Sequence, residues 1–131
     1  MRKLIGFVCV AVAVGLLVGS KVGSRAGAAQ QEEKKDYGIP EVMKMAHGGD
    51  PSLVKKAIAG KATDGEAQML LAMYKALKVA TPPAGSKESW VKKTDALIKG
   101  AQLYADGRKD EAKIELTKAS NCKACHSIHK G

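Results

Sequence analysis

Aromatic side chains are scarce in this chain: 131 residues include one Trp, three Tyr and one Phe. Phe7 falls in the first apolar stretch, so Trp90, Tyr37, Tyr74 and Tyr104 are all that remain for an interior. Aromatics bury the largest areas. A core built mainly of Ala and Leu is lean and would gain from a large apolar group at its centre. Arginine is almost missing as well, with Arg108 the only one after Arg25. A nucleic-acid surface would mix Arg and aromatics into clustered lysines. The lysines here are scattered, and nucleic acid is excluded as a partner. No stretch alternates polar and apolar residues at a period of two, so no strand is expected. A Ser/His/Asp set, paired carboxylates on one helix face and a phosphate-cradling glycine loop are all lacking, and the chain is not expected to be an enzyme.

What is present begins with an address. Arg2 and Lys3 precede an uncharged apolar run from Leu4 to Val18, and Ala26-Gly27-Ala28 has the small-x-small pattern of a signal-peptidase site. Residues 1–28 are therefore expected to be a cleaved signal peptide, placing the mature protein in the periplasm or another exported compartment. The alternative, an uncleaved membrane anchor, is disfavoured because an apolar core of 15 residues falls short of the roughly 20 that span a bilayer. No stable membrane insertion is expected after cleavage. Cys9 follows Val8 rather than a small residue and is not a lipidation site. Four of the 22 basic residues leave with the leader and none of the 13 acidic ones, so 18 against 13 gives a mature charge of +5. That surplus reads as a solvated surface, with some capacity to steer an acidic redox partner.

From Ile39 onward the mature chain reads as helix. Residues 29–38 form a charged, flexible lead-in, and the domain occupies 39–131. A first helix spans Pro40 to His47 and stops at Gly48-Gly49. Asp50-Pro51 opens a second short helix, Asp50 as its cap, ended by Gly60. The two pieces are expected to be halves of one kinked or split helix. Thr63 and Glu66 fit a capping box for the next helix, which Thr81-Pro82-Pro83-Ala84-Gly85 breaks. Ser86 caps a helix bearing Trp90, Leu97, Ala101 and Tyr104 on one stripe. After Asp106-Gly107 a last helix runs from Lys109 to near His126. Short loops between amphipathic helices predict an all-α, antiparallel up-down four-helix bundle.

Cysteine is scarce and informative. With Cys9 removed, only Cys122 and Cys125 remain, and His126 follows at once. Cys-x-x-Cys-His is the attachment signature of c-type haem. On a helix the two thiols share a face, so each can add to one vinyl group of the same porphyrin. His126, at i+4 from Cys122, can then reach the iron as proximal ligand. A thioredoxin-like pair would open a helix after a strand. A structural zinc site needs four ligands, available only as an oddly spaced set with His47, His126 and His129. A plain disulfide leaves His126 without a role. One covalently bound haem c is expected.

A helical exported chain with this motif at its extreme C-terminus resembles the class II cytochromes c, the group of cytochrome c-prime and its low-spin relatives. The likeness covers roughly residues 39–130 in architecture, and its specific match is the haem motif alone. The resemblance implies a mono-haem protein that exchanges one electron with redox protein partners, with a homodimer as a common state. It also implies a basic residue near the haem four positions after the histidine. Lys130 stands there, with His129 where an aromatic is common. The alternative for Lys130 is a solvated terminus.

In that family the distal residue comes from the first helix: Met in low-spin electron carriers, an apolar residue in cytochrome c-prime, whose iron stays open to NO and CO. Helical phase puts Ile39, Val42, Met43 and Ala46 on the inward stripe, while Met45 points about 160° to 200° away from Met43. Met43 is the preferred sixth ligand, its soft thioether suiting haem iron. His47, one turn later, is the bis-His alternative, and an open five-coordinate site is the other. Met69 and Met73 read as core packing, and His47 and His129 otherwise as surface residues.

Overall fold

The computed structural model describes residues 36–131, and every regular element among them is helical. The expected signal peptide, 1–28, and most of the expected lead-in lie outside the described residues. Tyr37, at the end of that lead-in, is buried and belongs to the core. Among the described residues no helix is long and apolar enough to cross a membrane.

Helix α1, Ile39–Val42, carries Pro40 in its first turn, where a missing N–H costs nothing. It continues without interruption into a wide π-helical turn, Met43–His47. Such turns insert an extra residue per hydrogen-bonded ring and occur often at functional sites. Helix α2, Leu53–Ile58, is a separate piece, so the first helix is split. Its cap is Ser52 and not Asp50: the Ser52 hydroxyl accepts the Lys55 N–H at 3.4 Å, while Asp50-Pro51 forms the preceding turn. Both residue types can cap; burial of Ser52 beside Leu53 and Val54 selects it.

Helix α3, Asp64–Val79, opens with the expected capping box. The Thr63 hydroxyl accepts the Glu66 N–H at 3.2 Å and the Glu66 carboxylate accepts the Thr63 N–H at 2.9 Å. Its apolar stripe buries Leu70, Leu71, Met73, Tyr74 and Leu77. Met73 is core, as expected, but Met69 is 40% exposed. Four residues turn the helix through about 400°, so Met69 lies some 40° farther from the stripe than Met73.

Helix α4, Lys87–Ala105, is capped by Ser86, whose hydroxyl accepts the Ser89 N–H at 3.2 Å. Helix α5, Lys109–Ala119, and helix α6, Cys122–His129, replace the single last helix expected from the sequence. The break comes at Ser120-Asn121, because the Asn121 side-chain oxygen accepts the Ala124 N–H at 3.1 Å and starts a new helix.

Helix α4 packs against both α3 and α5, α2 lies against α5 and α3, and α1 against α3. Close approach of α4 and α5 depends on Gly100, where a Cβ would stand 2.8 Å from the Leu116 side chain and 3.1 Å from its backbone nitrogen. Leu70, Leu77 and Leu116 are almost wholly buried, each stabilising the fold by about 1.5–3 kcal/mol. The few aromatics use their polar atoms as cross-links. Trp90 Nε1–H donates to the Leu77 carbonyl at 2.9 Å, tying α4 to α3. The Tyr104 hydroxyl donates to the Ala62 carbonyl at 2.9 Å, tying α4 to the segment before α3. Helix α6 differs from the others. Among the described residues no helix packs extensively along it, and its one buried side chain is His129.

Candidate functional site

The three motif residues occupy the first five positions of α6, where Asn121 has just restarted the helix. Both thiols are free; Cys122 is exposed and Cys125 is half-buried against the core. The Cys122 S–H faces the Ser120 carbonyl at 3.5 Å. Helical spacing sets Cys122, Cys125 and His129 on one face at i, i+3 and i+7, with His126 beside them.

Two hollows open where α6 stands off from the remaining helices. One, of about 260 Å³, is bounded by Met43, His47, Leu97, Cys122, Cys125 and His126, among others. The other, of about 520 Å³, is bounded by Ile39, Met43, Trp90, Cys125, His126 and Lys130, among others. Met43, Cys125 and His126 line both. The fold thus brings the α1 and π-turn segment together with α6, and Met43 is on the side that faces the hollows. Met45, also half-buried, lines neither hollow.

The lining suits a haem in kind. Met43, Leu97, Ile39 and Trp90 offer apolar surface, two free thiols stand three residues apart, and His126 and Met43 supply a nitrogen and a sulfur donor. The alternative of a bare metal site has less to support it. Among the described residues no group of three or more His, Cys, Asp or Glu side chains is gathered to hold an ion. A porphyrin needs no such group, since four of its iron's ligands are its own.

The electrostatics differ at the two candidate distal residues. His47 is half-buried rather than on the surface, its Nε2 lying 3.3 Å from the Tyr74 hydroxyl. Burial, with a smaller effect of nearby His126, holds its imidazole below the ordinary histidine range, so the ring is neutral near pH 7. Burial pushes the Tyr74 phenol well above its ordinary value, with Cys122 adding to the effect, so Tyr74 keeps its proton and can donate to Nε2. Met43 carries no such engagement. Burial also raises the Cys125 thiol, with Lys93 partly offsetting it.

His129 departs furthest from its expected surface position. It is 3% exposed, not on the surface. Its Nδ1–H donates to the Ala84 carbonyl at 2.8 Å, which leaves Nε2 to accept the Ser89 hydroxyl at 3.1 Å. Its ring meets Trp90 edge-on, with centroids 5.3 Å apart. The signal available was its i+4 spacing from Cys125; nothing local named its partners. Lys130 is exposed at the rim of the larger hollow. Tyr74 was recognised as core, but a buried hydroxyl needs a partner, and His47 is one no local pattern reveals. Comparison with family models, with curated proteins and with solved structures finds no match to this chain.

Proposed function

We propose that this protein is a mono-haem c-type cytochrome that carries single electrons in an exported compartment, the periplasm or its equivalent. Cys122 and Cys125 would hold the haem through two thioethers, each thiol S–H adding across one vinyl double bond, which needs no oxidant or reductant. His126 would hold its iron as proximal ligand and Met43 as sixth, with Lys130 near the haem edge or a propionate. When bound, the group supplies a one-electron Fe(III)/Fe(II) couple. The residues would hold it and set its potential; His/Met ligation favours a higher potential than His/His.

The observation that carries this reading is the meeting of Met43 with Cys125 and His126, 82 and 83 residues away in sequence, around the same two hollows. Met43 is favoured over His47 because Tyr74 already occupies His47 Nε2. The finer architecture we assign is a four-helix bundle in which α1, its π-turn and α2 together make the first member, α3, α4 and α5 the rest. Contacts of α4 with α3 and α5, and of α2 with α5, support it. Partners are expected to be redox proteins.

Intact mass and absorption spectra of the natively matured protein test the proposal. A mass greater by one haem, with a sharp reduced α-band unmoved by CO, is expected. A five-coordinate spectrum that CO or NO shifts would replace the electron carrier with a gas-binding protein of the cytochrome c-prime kind. A colourless protein of unmodified mass would end the haem reading and leave a helical module closed by a disulfide.

A further inference from the structure

Helix α6 holds every covalent attachment point of the proposed site, yet it is the least packed helix of the described chain. A site works only when its groups are held within about 0.5 Å of the productive geometry. Some contact must therefore set where α6 sits relative to Met43.

We infer that His129 is a positioning residue: its imidazole latches the last turn of α6 onto the α3–α4 loop and onto α4, and so sets the placement of His126 opposite Met43. The inference rests on the haem reading above. Three observations carry it. First, His129 is the one buried side chain of α6, and both its ring nitrogens are used, by Ala84 and Ser89, which are 45 and 40 residues distant in sequence. Second, the loop is shaped to receive the ring. Gly85 has φ +78°, and a Cβ there would lie 2.7 Å from His129 Nδ1. A side chain at 85 and the imidazole at 129 exclude each other. Third, His129 itself borders the larger hollow together with Met43 and His126. Being three residues from His126 and four from Cys125, it shares their part of the helix surface, so a shift at the latch is passed directly to the ligand and the thioether.

A buried histidine with a merely structural role would lower stability on removal and leave the iron unchanged. A latch predicts more. His129→Ala, His129→Gln and Gly85→Ala should be made in the full chain and matured natively. Intact mass reads haem attachment, and absorption and electrochemistry read ligation. All three variants should carry haem. His129→Ala and Gly85→Ala should show a high-spin fraction absent from the parent and a lower midpoint potential, as expected when the Met ligand loosens. His129→Gln, which can donate to Ala84 and accept from Ser89, should stay close to the parent. Parent-like spectra and potential in both disrupting variants, even with a lowered melting temperature, would overturn the inference. Should His129→Ala fail to accumulate, Ser89→Ala, which removes one of the two bonds, takes its place beside Gly85→Ala, with the same two outcomes. If the parent itself carries no haem, the cytochrome reading fails separately. Hydrogen exchange on that chain then judges the latch. Amides of α6 exchanging roughly tenfold faster in His129→Ala support it, and equal rates overturn it.

Discussion

The Tyr74 hydroxyl lies 3.3 Å from Nε2 of His47, whose ring borders the smaller hollow beside α6, and the two ring centroids are 5.7 Å apart. Tyr74 comes from the middle of α3 and His47 from the end of the π-turn, so the bond fixes the end of that turn against the core. It also occupies the histidine nitrogen that points away from its own backbone, and Met43 is left as the donor without a partner.

Replacing Met43 by Ala should therefore convert a low-spin spectrum to a high-spin one and make the ferrous protein bind CO. Absorption with and without CO is the measurement. A spectrum identical to the parent would transfer the sixth position to His47 or another group.

Acidification should destabilise the fold through His47. Its folded value is held below the ordinary 6.5 by burial, so between the two values the unfolded chain binds the additional proton. Stability is then fully present above about pH 6.5 and falls as pH is lowered through that window. Urea midpoints measured from pH 8 to pH 5 should decline, and His47→Gln should make the decline shallower. An unaltered slope in the variant would show that His47 does not contribute.

In haem-free protein that retains its helical circular dichroism, the two thiols should react at different rates. Burial raises the Cys125 thiol and lowers its thiolate fraction, while Cys122 is exposed. Alkylation with iodoacetamide near neutral pH, followed by peptide mass spectrometry, should modify Cys122 first. Simultaneous modification would contradict the placement of Cys125 against the core.

Gly100→Ala sets two effects against each other. Ala is the better helix former by about 1 kcal/mol. Against that, its Cβ would stand 2.8 Å from Leu116 side-chain atoms and 3.1 Å from the Leu116 nitrogen. Overpacking of this kind costs about 1–3 kcal/mol, and backbone yields less readily than a side-chain tip. Net destabilisation is expected, read as a lower urea midpoint with the slope unchanged. A gain in stability would mean that α4 and α5 can separate without loss.

The helical class, the Thr63 capping box and the breaks at Gly48-Gly49, Gly60 and Asp106-Gly107 were legible because each is set by a few adjacent residues. The last helix was misread for a related reason. Asn121 can continue a helix or cap a new one, and its side-chain bond to the Ala124 N–H, which decides between them, is not readable from spacing. Met69 shows the limit of stripe reading, since phase ranks positions without saying how wide the covered face is. At the site, the donor types and their spacing on α6 were readable; Met43 and Met45 both pack half-buried against the core, and the fold is what sets Met43 rather than Met45 on the two hollows.

By itself the sequence determined which atoms are available for chemistry: two thiols and an imidazole within five residues, on a face set by 3.6 residues per turn. Tertiary structure decided what surrounds them. The meeting of Met43 with His126, the Tyr74–His47 bond and the burial of His129 under Ala84 join residues between 27 and 83 positions apart. Covalent geometry reaches only a few residues along a chain, whereas contacts of that separation are chosen by how whole helices bury their apolar faces together.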